Sequence, residues 1–332
     1  MSELSIVTVC MNRREHLLAT APKVAAWPHH SEHVIVDWSG AEPVRRQELP
    51  DDPRVRLLRV EGEAGWNLSR AYNFALAQAR GAWLLKLDAD CWPTSHLTPQ
   101  ALMAAGRAWV GSGGKGRHGQ FLMERACLDA AGGFNEYLSG WGFEDKDLHA
   151  RLEVREGIGL GRLPTETIGV IEHSDEERMG QLPGGRGEAF RRDVGLAAMR
   201  SSRLANRLLA AHYPWGPLTT RSRYEEWAPD RWRVLPGSVP RPSGTAASKV
   251  EHARRLAFWS CLLAIPEVFL ADLPIKLAPY PHQGVWRVRW WHRLWWHSGR
   301  RLSRLPVFLL SRTRGWLGRP TESPPGAPRD ER

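Results

Sequence analysis

Cysteine is scarce in this chain. Its 332 residues hold four, Cys10, Cys91, Cys127 and Cys261, all widely spaced. The sequence has no Cys-x-x-Cys pair and no histidine-rich metal pattern, which argues against a disulfide framework or a zinc site and suits free thiols in a reducing compartment. Gly111-Ser112-Gly113-Gly114-Lys115-Gly116 has the Gly-x-Gly-x-x-Gly spacing, but it lies within a glycine-rich stretch read as a loop, so no dinucleotide site is expected. Long apolar runs are missing too: residues 256–266 are apolar and uncharged for only 11 positions between Arg254-Arg255 and Glu267, whereas a bilayer span needs about 20. The first residues, Met1-Ser2-Glu3-Leu4-Ser5, place no basic patch before an apolar core. No signal peptide is therefore expected, and the expected location is the cytoplasm.

Charge is present in quantity but unevenly placed. Residues 1–195 hold 23 of the 46 Lys+Arg and 27 of the 36 Asp+Glu, a net −4, which leaves +14 for the remainder. Ten of the 17 tryptophans lie beyond residue 214. The two halves are expected to face different partners.

Within the first half, Ser5-Ile6-Val7-Thr8-Val9-Cys10 reads as a central strand, followed by Met11-Asn12-Arg13-Arg14-Glu15-His16-Leu17 opening a helix. Residues 33–37 and 55–60 read as the next strands. Residues 67–79 form a helix, with Leu68, Tyr72, Ala75, Leu76 and Ala79 at core spacing. A fourth strand, Trp83-Leu84-Leu85-Lys86-Leu87, runs into Asp88-Ala89-Asp90. Strands alternating with helices in this order predict a mostly parallel α/β sheet flanked by helices.

Such sheets bind ligands at the carboxyl ends of their strands, where Asp88 and Asp90 fall. A bare Asp-x-Asp has two readings: a helix cap with a turn stabiliser, or two oxygens that hold a hard divalent cation and through it a diphosphate. A second informative stretch is Gly140-Trp141-Gly142-Phe143-Glu144-Asp145-Lys146-Asp147-Leu148. Glycines flanking Trp141 make an aromatic platform suited to an apolar sugar face. The acids open a helix, where the macrodipole favours them; one aimed into a cleft could also accept a proton from a hydroxyl. Residues 110–119 are glycine-rich, and either flexible backbone beside a ligand or a plain surface loop accounts for them. Residues 120–123 read as a strand, 124–131 as a short helix, and 167–171 as a strand ending at Glu172-His173. A polar loop over 175–193 is a candidate lid, and a helix over 194–211 closes the domain.

Beyond a Pro/Gly linker at 236–248, residues 285–296 interleave arginine with tryptophan. That mixture suits an anionic membrane surface, with rings at headgroup depth and guanidinium groups on phosphates. A small helical subdomain packed on the main sheet is the other reading, because the tryptophans keep to no single helix face. Nucleic acid is disfavoured, since no recognition motif accompanies the charge.

Taken together, residues 5–17, Asp37, 67–90 and 132–152 resemble the GT-A glycosyltransferases of family 2. The pairing of Met11-Asn12-Arg13-Arg14-Glu15-His16-Leu17 with Trp141-Gly142-Phe143-Glu144-Asp145 is similar to the β-1,4-galactosyltransferase and chondroitin polymerase branches. The resemblance, over about residues 4–175, implies a GT-A, Rossmann-like domain, placed at 1–235; composition adds the linker, a basic helical appendage over 249–318 and a disordered tail over 319–332. It implies that Asp90 ligates Mn²⁺ or Mg²⁺ with Asp88 nearer the ribose and metal. Thr8, Arg13, Asp37 and Arg70 would contact the donor nucleotide and its diphosphate. Trp141 would carry the acceptor, Asp145 would be the base with Glu144 assisting, and His173, 28 residues beyond Asp145, would be a third metal ligand.

The activity so implied is inverting, metal-dependent transfer of a sugar from a nucleoside diphosphate sugar, UDP-linked, to a hydroxyl of a glycan or glycolipid. Peripheral attachment to the inner face of the cytoplasmic membrane would follow from the basic tail. Two departures leave donor and acceptor open: Met11 stands where the galactosyltransferases tend to have arginine, and Lys146 interrupts their acidic run. Sugar-phosphate nucleotidyl transfer is the alternative enzyme, but it wants a glycine in residues 11–17, and none is there. A non-catalytic nucleotide-sugar or membrane-binding protein is the alternative of another class.

Overall fold

The computed structural model describes residues 3–114, 116–172, 213–245 and 247–248, with 198–199, 202–203, 205–207, 209–210, 251, 255, 258 and 309. The basic tryptophan-rich region expected at 249–318 lies, apart from isolated positions, outside the described residues, as does the candidate lid. Among the described residues no helix is long and apolar enough to cross a membrane.

Strands β1 (Leu4–Cys10), β2 (Glu32–Trp38) and β4 (Trp83–Lys86) are buried along their whole length, as expected of parallel strands covered on both faces. With β3 (Val55–Glu61) they pair in parallel in the order β3-β2-β1-β4. Chain reversal then adds short strands at that end: β7 (Phe121–Glu124) runs antiparallel beside β4, followed by β6 (Ala108–Gly111) and β8 (Gly161–Leu163). At the other edge, β10 (Tyr224–Ala228) and β11 (Arg231–Val234) form a hairpin that joins β3. Cys91–Pro93 (β5) and Ile168–Val170 (β9) make a separate two-stranded ribbon.

Helices α1 (Arg14–Ala26), α2 (Leu68–Gln78), α3 (Pro99–Ala105), α4 (Arg125–Ala131) and α5 (Glu144–Ala150) cover the sheet. Asn67 caps α2, its side chain accepting from the Arg70 N–H at 2.9 Å, and Ala71, Tyr72, Ala75 and Leu76 bury the inner face predicted by their spacing. Helix α1 starts at Arg14 rather than at Met11: Asn12 takes φ +57°, which no helical residue can. Every described position within 198–210 is helical.

The topology fixes where a site can form. From β1 the chain builds outward through β2 and β3 on one side and returns through β4 on the other, so the strand order reverses between β1 and β4. That reversal opens a crevice beyond their carboxyl ends.

Candidate active site

Three segments meet in that crevice: residues 11–13 after β1, Asp88-Ala89-Asp90 after β4, and the turn from Gly140 into α5. With Trp66, Leu68 and the loop residues Gly116, His118 and Gly119 they line one cavity of about 460 Å³. Arg13 also borders a second cleft of about 480 Å³, walled by residues 12–16 and the Ala41-Glu42 turn.

Asp88 is gripped on both oxygens. Oδ1 accepts from the Tyr72 hydroxyl at 2.8 Å and from Lys86 Nζ at 2.9 Å, and Oδ2 accepts from Gln120 Nε2 at 2.7 Å. Gln120 returns its Oε1 to the Asp88 N–H at 2.9 Å. Asp90 is buried, with Arg13 Nη1 3.2 Å from its Oδ2 and the Cys91 thiol 3.3 Å from its Oδ1. Its carbonyl accepts the Ile171 N–H at 2.8 Å, which ties the end of β9 to the motif. These donors, two of them charged, fix both acids in place.

The helix-end acids have the opposite surroundings. Burial lifts the Glu144 carboxyl to about 8, the charge of Asp145 adding to it. Burial lifts Asp145 to about 6, with Lys86 and His118 pulling it down and Asp88 pushing it up. A carboxyl group at about 6 is ionised at neutral pH yet basic enough to take a proton. Phe143, just before them, takes the left-handed conformation at φ +85°, a strained state for a bulky residue. Gly119 passes so close that a Cβ there would lie 3.1 Å from Asp145 Oδ2.

The structure thus gathers Arg13, Asp88, Asp90, Trp141, Glu144 and Asp145 in one cavity. Thr8, Asp37 and Arg70 do not line it. Thr8 is buried in β1 with its Oγ1 3.0 Å from His33 Nε2. Asp37 holds the 39–44 turn, accepting from the Gly40 and Val44 N–H groups at 3.1 and 3.0 Å, and pairs with Arg59. Arg70 pairs with Glu63. His173 lies outside the described residues.

Lys86, Gln120, Tyr72, Trp66 and His118 belong to the site without having been singled out from sequence. Lys86 is fully buried, donates to the Gly119 carbonyl at 2.6 Å and lies 4.2 Å from the Tyr72 ring centroid. Burial alone would lower its ammonium, but Asp88 and Asp145 outweigh that and raise it. A lysine inside an otherwise apolar strand was the available signal, since such a charge must find a buried partner. Gln120 offered none, because only the antiparallel β4–β7 register, with Lys86 opposite Phe121, brings it to Asp88.

Among the described residues no three His, Cys, Asp or Glu side chains cluster as a metal site. Asp88 and Asp90 nonetheless fit a hard cation of the Mg²⁺ type, which commonly takes one or two carboxylates and completes its shell with substrate phosphates and water.

Two family models match consecutive parts of the chain. Glycosyl transferase family 2 matches residues 5–112, and a model described as the N-terminal domain of galactosyltransferase matches residues 115–176. No curated protein matches. Among solved structures, the catalytic domain of Drosophila β1,4-galactosyltransferase 7 in complex with xylobiose is similar at TM-score 0.42 and 15% identity, covering 70% of this chain and 93% of that one. The mannosyltransferase PcManGT from Pyrobaculum calidifontis, in complex with GDP-Man and Mn²⁺, is similar at TM-score 0.42 and 13% identity, covering 95% and 87%. Residues 1–349 of S. aureus TarS give TM-score 0.42 and 14% identity, covering 84% and 77%. The matched sequence spans the crevice and all three segments that line it: residues 5–112 form a glycosyl transferase family 2 domain, continued over 115–176 by a segment similar to the galactosyltransferase N-terminal domain, and the protein is a glycosyltransferase.

Proposed function

We propose that this glycosyltransferase transfers a sugar, with inversion, from a UDP-linked donor to a hydroxyl of a glycan or lipid-linked acceptor. One observation carries the reading: Asp88 and Asp90, each held by hydrogen bonds, share a cavity with Trp141 and with Asp145, whose carboxyl is raised to about 6. Asp90 and Asp88 would hold Mn²⁺ or Mg²⁺, with His173 the further ligand that the family resemblance implies. The bound ion would offset the charge that develops on the leaving diphosphate.

The chain's own residues supply the rest. Arg13, bordering both clefts, places a guanidinium between a nucleotide in the 12–16 cleft and the acid pair. Trp141 offers its face to the acceptor sugar. Asp145 takes the acceptor proton as that oxygen attacks the anomeric carbon from the side opposite the diphosphate, so no covalent intermediate is needed. Glu144, raised to about 8 and accepting from the Gly142 N–H at 3.1 Å, stays protonated beside it and spares Asp145 a second negative neighbour. Thr8, Asp37 and Arg70 act indirectly in this reading, shaping the strand end, the 39–44 turn and the start of α2. The basic, tryptophan-rich residues beyond 248 would hold the enzyme on an anionic inner-membrane surface, where lipid-linked acceptors lie.

The test is release of nucleoside diphosphate from a panel of nucleotide sugars, with Mn²⁺ and again with a chelator. Metal-dependent release from one donor is expected. Metal-independent release from every donor, or binding of none, would overturn the reading. Truncation after residue 248 should abolish sedimentation with anionic vesicles; unchanged sedimentation sinks the membrane role.

A further inference from the structure

The Trp141 turn is not self-supporting. Asn67 donates to the Leu138 carbonyl at 3.1 Å and Glu144 accepts the Gly142 N–H, while the groups that span Ser139 to Gly142 from another part of the chain are Ser202 and Asn206, outside both matched segments. Ser202 Oγ accepts the Trp141 N–H at 2.8 Å and lies 2.8 Å from the Trp141 carbonyl, able to donate there or to Met199 O at 2.7 Å. Asn206, fully buried, spans the turn: its Oδ1 accepts the Ser139 N–H at 3.0 Å and its Nδ2 donates to the Gly142 carbonyl at 2.8 Å.

Either side of these bonds the turn is anchored by apolar packing. Leu138 and Phe143 share a buried cluster with Ala205, Leu209 and Ala210. That cluster holds Phe143 at φ +85°, a conformation that costs on the order of 1–3 kcal/mol and persists only when its surroundings over-determine it. The fit is close on the inner side as well: a Cβ at Gly140 would lie 2.7 Å from Ser202 Cβ, and one at Gly142 would lie 3.1 Å from Arg203 Cβ. Side chains on the turn's inner side are therefore excluded, which leaves Trp141 to face the cavity.

We propose that Ser202 and Asn206 are positioning residues for the acceptor subsite, a clasp that fixes Trp141 and the entry to α5 in the conformation the acceptor requires while leaving the donor side untouched. The acceptor half of this proposal rests on the reading of Trp141 given above. Neither residue lines the cavity or touches Asp88 or Asp90, so their effect should separate acceptor from donor.

The experiment uses the full chain and two mild variants. Ser202→Ala removes the acceptor of the Trp141 N–H. Asn206→Asp keeps the volume and the bond from Ser139 but replaces the donor to Gly142 O, in case Asn206→Ala fails to fold. Hydrogen–deuterium exchange is followed on peptides covering 139–143, β1 and β4. The affinity for UDP with Mn²⁺ is measured by calorimetry, and initial rates are taken on p-nitrophenyl β-glycosides of xylose, galactose, glucose and N-acetylglucosamine.

Loss of a buried hydrogen bond predicts exchange about tenfold faster at 139–143 and unchanged in β1 and β4. The acceptor KM should rise about tenfold, with UDP–Mn²⁺ affinity within about twofold of the parent protein. Unchanged exchange at 139–143 would overturn the clasp. Faster exchange throughout the sheet, with UDP affinity lost in proportion, would show a general structural role and overturn it too. Exchange needs no substrate, so it decides the clasp by itself. If 139–143 loosens while Trp141→Ala leaves acceptor KM unchanged, the reading of Trp141 fails, and with it the acceptor half of the proposal.

Discussion

The strand-end acids and the helix-end acids of this protein share a cavity but are built in opposite ways. Asp88 receives a phenol, an ammonium and an amide, and Asp90 faces a guanidinium. Glu144 and Asp145 sit at the start of a helix with burial outweighing their donors, and their carboxyls rise to about 8 and about 6. One pair of acids in the cavity is thereby surrounded by donors, suited to a cation and a diphosphate, while the other includes a carboxyl raised to where a proton can be exchanged near neutral pH. Placement decides this: the end of a buried strand lies among side chains from its neighbours, whereas the first turn of a short helix without a side-chain cap offers few.

The largest test of that division is Asp145→Asn. Removing a general base typically costs 10²–10⁴-fold, so turnover should fall by about 10³-fold with the fold intact by circular dichroism. Retention of more than a tenth of the activity would deny Asp145 its role. In the parent protein the acid limb of kcat/KM should lie near pH 6, since Asp145 must lose its proton to work.

Lys86→Met comes next, because it strikes both sides of the comparison. The substitution removes the buried ammonium between Asp88 and the Gly119 carbonyl, leaving that carbonyl without its donor. A stability loss of about 2–3 kcal/mol by urea denaturation is expected. Because Lys86 lowers Asp145, the acid limb should also move to higher pH; a limb that stays in place would separate Lys86 from the base.

Trp141→Ala should raise acceptor KM about tenfold with the donor KM unchanged, the size of one lost stacking face. The smallest effect is on stability. A carboxyl raised in the folded state favours folding when protonated, so Glu144's contribution is complete below its unfolded value of about 4.5 and is lost as pH rises through about 8. Glu144→Gln should therefore stabilise the protein by about 1–2 kcal/mol at pH 8 and by nothing below about pH 4.5, read from paired thermal melts. His30 and His33 act in the other direction. Burial lowers them to about 4 and about 3, so their contribution is complete above about 6.5 and is lost as pH falls from there toward those values. The paired comparison with the parent cancels their share.

Much of this was legible in the chain before folding. The buried runs that became β1, β2 and β4, the core spacing of α2 and both acidic motifs follow from local pattern, because each depends on neighbours in sequence. Lys86 was half legible: its oddity in an apolar strand could be seen, its partners could not. Gln120, Ser202 and Asn206 are ordinary polar residues whose roles arise only when β7 reverses against β4 and when the described helical residues between 202 and 210 meet the Trp141 turn. Asp37, expected at the donor, was half legible too: its strand-end place could be read, but its bonds from the Gly40 and Val44 N–H groups and its pairing with Arg59 arise only once the 39–44 turn and β3 are in place.

The most direct test of the division between the two acid pairs is calorimetric titration of UDP, in the presence of Mn²⁺, into Asp90→Asn and Asp145→Asn side by side. Asp145→Asn should bind within about twofold of the parent protein, while Asp90→Asn should lose about tenfold or more, the loss expected when one charged ligand leaves a hard-cation site. Equal losses in both variants, or none in Asp90→Asn, would contradict that division.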